Sequence, residues 1–99
     1  MAEAEDRNQA TRVLDVLEAL CGFAATGAAN QDLAEAVKTS PSNTTRALAV
    51  LMAKGWARKA ENGRFFPAPA FTRLTFRVLA DFQRAEQQLQ DQRRNMTVG

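Results

Sequence analysis

The sequence predicts a mainly α-helical domain that carries one small β-hairpin and closes on a long C-terminal helix. Three observations predict it. Apolar residues recur at spacings of three and four in four separate stretches. An Asn62-Gly63 pair sits between two short runs of aromatic and basic residues. Beyond "PAP", residues 70 to about 93 hold neither Gly nor Pro. A chain of 99 residues with 45% hydrophobic content suits one modest core, not two domains.

Each element follows in order. "MAEAEDRNQ" is acidic and lacks large apolar residues beyond Met1, so residues 1–9 are expected to be a mobile arm. The folded domain is expected over residues 10–68 and a linker helix with a polar tail over 69–99. In the first helix, Val13, Leu14, Val16, Leu17, Leu20 and Cys21 recur on one side, with Cys21 as a small core residue and Gly22 near the end. "GFAATGAA" breaks that helix. Asn30 is expected to cap a short second helix, "QDLAEAVK", which buries Leu33, Ala34 and Val37 and has Asp32 near its positive end. Ser40 can cap the third helix and Pro41 is preset for its first position. Thr44, Ala47, Leu48 and Leu51 then face inward until Gly55 stops it.

In "WARKAENGRFFP", Asn62-Gly63 favours a two-residue type I′ turn, and period-two alternation sends Phe65 and Phe66 to opposite faces. One of them packs on the core; the other is expected over the linker helix or a partner subunit. Trp56 is expected in the core. Pro67 lacks a ladder donor, which puts the second strand on an edge or ends it there. The last helix shows Phe71, Leu74, Val78, Phe82, Ala85 and Leu89 at spacings of three and four before the polar "EQQLQDQRRN". Helix, helix, turn, helix, hairpin is the order of a winged helix-turn-helix.

Composition narrows the function classes. With no His there is no ready general base near neutral pH, so an enzyme reading is disfavoured; a reactive, low-pKa Cys21 would be needed to revive it. A lone Cys forms neither an intramolecular disulfide nor a metal cluster, and no apolar run of about 18 residues is present. No cofactor, metal or membrane is expected, and the chain reads as cytoplasmic and nucleoid-associated. Residues 1–41 carry three bases against seven acids, while residues 42–99 carry ten bases against four acids. The basic half suits a polyanion.

In this order, "RVLDVLEAL", "LAEAV", "SNTTRALAVLMAKGW" and "ENGRFFPAPAFTRL" resemble the N-terminal DNA-binding domain of the IclR family of bacterial transcriptional regulators. The likeness runs without gaps from about Arg12 to Leu74. It implies that Ser42, Asn43, Thr45 and Arg46 lie in the first turns of the helix that enters the major groove, and that Arg58, Lys59, Asn62 and Arg64 lie on the wing beside the phosphates. The sequence also departs from the family: Lys38-Thr39 replaces a frequent Gly-Leu, Pro41 sits one position late, Thr44 takes a usually apolar place, and Phe66-Pro67 replaces a polar-aliphatic pair. The effector-binding domain of the family has no counterpart in these residues, so small-molecule sensing is not implied.

Short polar side chains near a helix N-terminus let the backbone approach the groove floor while hydroxyl and amide groups reach base edges. Ser40, Ser42, Asn43, Thr45 and Arg46 are therefore the candidate DNA-reading residues, with Asn43 the choice for a bidentate contact to adenine. The plain alternative is that Ser and Asn cap the helix and Arg46 pairs with an acid such as Glu35. Phe71, Leu74, Val78 and Phe82 are candidates for a homodimer seam, because one winged helix reads few bases and two read half-sites. The expected partners are double-stranded DNA and a second copy, in a regulator that acts by occupying its site, as a repressor would. The other reading is an adaptor or architectural component that docks another protein of a transcription or nucleoprotein complex.

Overall fold

The computed structural model describes residues 8–98. The expected arm lies outside them for residues 1–7; Asn8 and Gln9 begin the first helix instead. The elements are α1 (Gln9–Cys21), α2 (Asn30–Val37), α3 (Pro41–Lys54), β1 (Ala57–Lys59), β2 (Phe65–Pro67) and α4 (Pro69–Val98). This is a winged helix-turn-helix followed by a long helix.

Helices α1, α2 and α3 pack on one another around Val16, Leu17, Leu20, Leu33, Val37, Ala47, Leu48 and Leu51. Leu20, Leu33 and Leu48 are fully enclosed, so truncating any of them to Ala would cost about 2–5 kcal/mol. The sequence stripe on α1 proves too broad. Leu14 is 61% exposed and Cys21 is exposed as well. Both lie about 90–110° around the helix from the centre of the Val16–Leu17–Leu20 face, beyond the reach of α2 and α3. Cys21 is therefore a surface residue, not the small core residue expected.

The turn that joins α2 to α3 has its own chemistry. Asn30 does not cap α2: Ala29 holds that position and its N–H donates to the Asp32 carboxylate at 2.9 Å. Asn30 is the first helical residue and reaches across to α3. Lys38 ends α2 in the left-handed conformation, φ 63°, where a glycine would sit without strain. Ser40 Oγ accepts the Asn43 N–H at 3.1 Å, as expected of a cap, with Pro41 just inside the helix. Thr44 is fully buried, and its hydroxyl donates to the Ser40 carbonyl at 3.0 Å, which settles the one polar group in the α3 seam.

The hairpin pairs Ala57 with Pro67, Arg58 with Phe66 and Lys59 with Phe65. It closes differently from the two-residue turn predicted. The Ala60 N–H donates to the Arg64 carbonyl at 2.8 Å, leaving Glu61, Asn62 and Gly63 as a three-residue loop. Only Gly63 there has positive φ, 85°, whereas a type I′ turn needs two such residues. Asn62 Oδ1 accepts the Arg64 N–H at 3.0 Å and stiffens the tip. On its other side, β2 exchanges two backbone hydrogen bonds with Ala28, at 2.8 and 2.9 Å, so the wing is fastened to the loop before α2.

Phe65 turns into the core, and Phe66 takes the opposite face. The Phe66 ring lies against Gly27 of the loop before α2, where an added Cβ would come within 2.6 Å of Cζ. Trp56 is half-buried against the core and meets Phe71 at a ring-centroid separation of 5.5 Å. The Ala68 N–H donates to the Trp56 carbonyl at 2.9 Å, and from that anchor α4 departs. Apart from half-buried Ala80, every residue from Thr72 to Thr97 is exposed, so the apolar stripe does not fold back on α1.

Candidate nucleic-acid interface

The exposed side of α3 carries Ser42, Arg46, Ala49 and Ala53 at spacings of four and three, polar at the N-terminal end and small beyond it. That is a face a helix can press into a groove. Its side chains are less independent than their types suggest. The Asn43 side-chain amide donates to Thr39 Oγ1 at 3.0 Å, and its oxygen accepts from Arg46 Nη1 at 3.3 Å. Arg46 thus meets Asn43, not Glu35. Thr45 Oγ1 donates to the Pro41 carbonyl and accepts from Asn30 Nδ2, each at 3.0 Å. Asn30 Nδ2 also lies 3.3 Å from the Pro41 carbonyl, so one amide ties the start of α2 to the start of α3. Ser40 is occupied as the cap, while Ser42 stays exposed.

The wing stands next to this face. Thr45, Leu48 and Met52 of α3, Lys59, Gly63 and Phe65 of the hairpin, and Ala29 and Asn30 at the start of α2 line a cleft between them. Asn30 Oδ1 is buried without a hydrogen-bond partner, the one such side-chain atom among the described residues. The wing cations differ in their freedom. The Arg58 guanidinium lies over the Phe66 ring, 4.6 Å from its centroid, and the Lys59 ammonium lies 5.5 Å from that of Phe65. Both remain exposed, with aromatic faces that support the charge and leave its donors open. Arg64 turns back instead: Nη1 donates to the Gly27 carbonyl at 3.0 Å and lies 3.9 Å from the Asp32 carboxylate. It braces the wing against the α1–α2 loop, with its remaining N–H groups unspent.

The sequence-derived residues therefore fall into two patches, Ser42, Asn43, Thr45 and Arg46 on α3, and Arg58, Lys59 and Asn62 on the wing, which meet where Thr45 and Lys59 line the cleft. Phe71, Leu74, Val78 and Phe82 lie apart from both on α4, and Phe71 already packs on Trp56. Two residues escaped the sequence reading, Thr39 and Asn30. Both act through hydrogen bonds across the helix-turn-helix that have no periodic signal; Asn30 looked like a cap because it is of capping type and adjoins a helix.

Cys21 is the one cysteine of the chain, and it is exposed. Partial burial, and then the Glu18 carboxylate nearby, push its thiol above the usual range, so thiolate is scarce near neutral pH. Among the described residues, no group of three His, Cys, Asp or Glu side chains is placed to hold a metal ion. Nor is any described helix long and apolar enough to cross a membrane.

A family model described as the IclR helix-turn-helix domain matches residues 9–61, more than half of the chain. The matched span takes in all three packed helices and the first strand, and ends inside the wing loop. Comparison with the curated proteins finds no match.

Proposed function

The chain belongs to the IclR helix-turn-helix domain family, and from that premise we propose that it is a small sequence-specific regulator of transcription. It binds double-stranded DNA as a homodimer and acts by occupying its site, in a bacterial, phage or mobile-element setting. The observation that carries this reading is the pairing of the exposed N-terminal turns of α3 with a wing that presents Lys59 across a shared cleft and keeps Arg58 exposed on its other face. The helix supplies groups for base edges and the wing supplies cations for phosphates, the two parts that specificity and affinity require. The second copy is supported by α4, whose Leu74, Val78 and Phe82 are left bare.

A salt titration of binding to duplexes selected from a random pool tests the proposal. A steep fall of affinity with salt, together with preference for one selected sequence, is the expected result. Equal binding to all sequences would replace the regulator by an architectural DNA binder. Absence of binding even at low ionic strength would favour the second reading, a protein-docking adaptor. That reading draws on the same bare face of α4 and on the acidic Asp15 and Glu18 of α1.

A further inference from the structure

We infer that Arg46 reads a guanine and that Asn43, anchored by Thr39, positions it instead of reading a base itself; the inference rests on the DNA-binding function proposed above. A bidentate contact to adenine needs both ends of an Asn amide, the oxygen for N6–H and the nitrogen for N7. Both ends of Asn43 are already engaged, the nitrogen donating to Thr39 Oγ1 and the oxygen accepting from Arg46 Nη1, so its amide plane is set by these two bonds with one N–H and one lone pair left over. The amide cannot simply be turned over. A guanidinium has only donors, so the atom that faces Arg46 must be the oxygen.

The neighbouring candidates are limited in the same way. Thr45 has given its only proton to the Pro41 carbonyl, and one of its lone pairs is taken by Asn30. Ser40 holds the helix cap. Ser42 is exposed but has a single hydroxyl, which donates or accepts with any base and so discriminates little. Arg46 is exposed and keeps four of its five N–H groups after the bond to Asn43. Two of these match O6 and N7 of guanine in the major groove.

Asn43 makes the arginine a better reader by holding one edge of a long, flexible side chain before DNA arrives. The support runs back into the turn. The Thr39 N–H donates to the Ala34 carbonyl at 2.9 Å, directly after the left-handed Lys38, so the hydroxyl that grips Asn43 stands on fixed backbone. A line of contacts thus links the helix-turn-helix turn to the guanidinium: Thr39, Asn43, Arg46.

The test is selection of bound sites from random duplex DNA by the wild-type chain and by Arg46→Ala, Asn43→Ala and Thr39→Val, each checked for fold by circular dichroism. Arg46→Ala is expected to lower guanine preference at one base position by about tenfold or more, the worth of a good bidentate contact. Asn43→Ala and Thr39→Val are expected to weaken the same guanine by about two- to tenfold, as loss of one hydrogen bond would. Their salt slopes should stay unchanged, whereas a merely structural role would weaken all sequences alike. The inference is overturned if Asn43→Ala erases a preference for adenine, or if Arg46→Ala flattens the salt slope and leaves every base preference intact. Failure of the wild-type chain to bind any duplex at low salt would instead remove the DNA-binding reading, and this assignment with it.

Discussion

Two backbone positions with positive φ sit beside the proposed interface and respond to substitution in opposite directions. Gly27 has φ 79°, and an added Cβ would lie 2.6 and 2.8 Å from two carbons of the Phe66 ring. That ring is half-buried between the loop and the Arg58 guanidinium. Gly27→Ala is therefore expected to destabilise the domain by about 1–3 kcal/mol, from overpacking added to left-handed strain. Thermal unfolding followed by circular dichroism measures it. Lys38 occupies the left-handed region with a Cβ already in place. Lys38→Gly is expected to gain up to about 1 kcal/mol, since relief of the steric cost outweighs the added freedom of the unfolded chain. A rise of a few degrees in midpoint is the readout, and a fall would show that the lysine side chain stabilises the turn in some other way.

At the scale of elements, the wing is a hairpin with one face for the domain and one for solvent. Strands of three residues do not stand alone, and this pair is held by the Ala28 backbone, by Phe65 in the core and by Arg64 on the Gly27 carbonyl. Its cations accordingly separate by role. Arg58→Ala and Lys59→Ala are each expected to flatten the salt dependence of DNA binding by about 0.9 in log–log slope, without changing which sequence is preferred. Arg64→Ala is expected to cost about 0.5–1 kcal/mol of stability, the low end for a hydrogen bond because the side chain is nearly half exposed. A comparison of midpoints and salt slopes across the three variants separates brace from contact.

At the scale of the whole molecule, α4 carries the proposed dimer seam. Phe71, Leu74, Val78, Phe82, Ala85 and Leu89 advance by three, four, four, three and four residues, and Met96 resumes the stripe. An eleven-residue period of this kind nearly matches the helix repeat, so the stripe stays on one face along about 38 Å of helix. Phe82 is 69% exposed and supports nothing in its own domain. Phe82→Glu is expected to turn a dimer into a monomer in light scattering while the midpoint of a dilute sample moves by less than about 0.5 kcal/mol equivalent. A wild-type chain that is monomeric at every concentration would remove the seam.

Much of this molecule was legible before its structure because helix periodicity, caps and stops are local. Val16, Leu17, Leu20, Leu33, Ala47, Leu48 and Leu51 repeat at the period their burial requires, Ser40 and Pro41 open α3, and Gly55 closes it with φ 81°. The order of the elements then determined the winged helix-turn-helix, and residue types marked α3 and the wing as the proposed contact surfaces. What only the tertiary structure decided was the use each polar group makes of its bonds. Asn30 leaves the cap to brace Thr45, Asn43 bonds to both Thr39 and Arg46, and Arg64 is turned to Gly27. Leu14 and Cys21 likewise kept a helical period yet stayed outside, because α2 and α3 cover only part of the circumference of α1. Periodicity records which way a side chain points along its own element. Hydrogen bonds and burial depend on what the other elements bring to meet it.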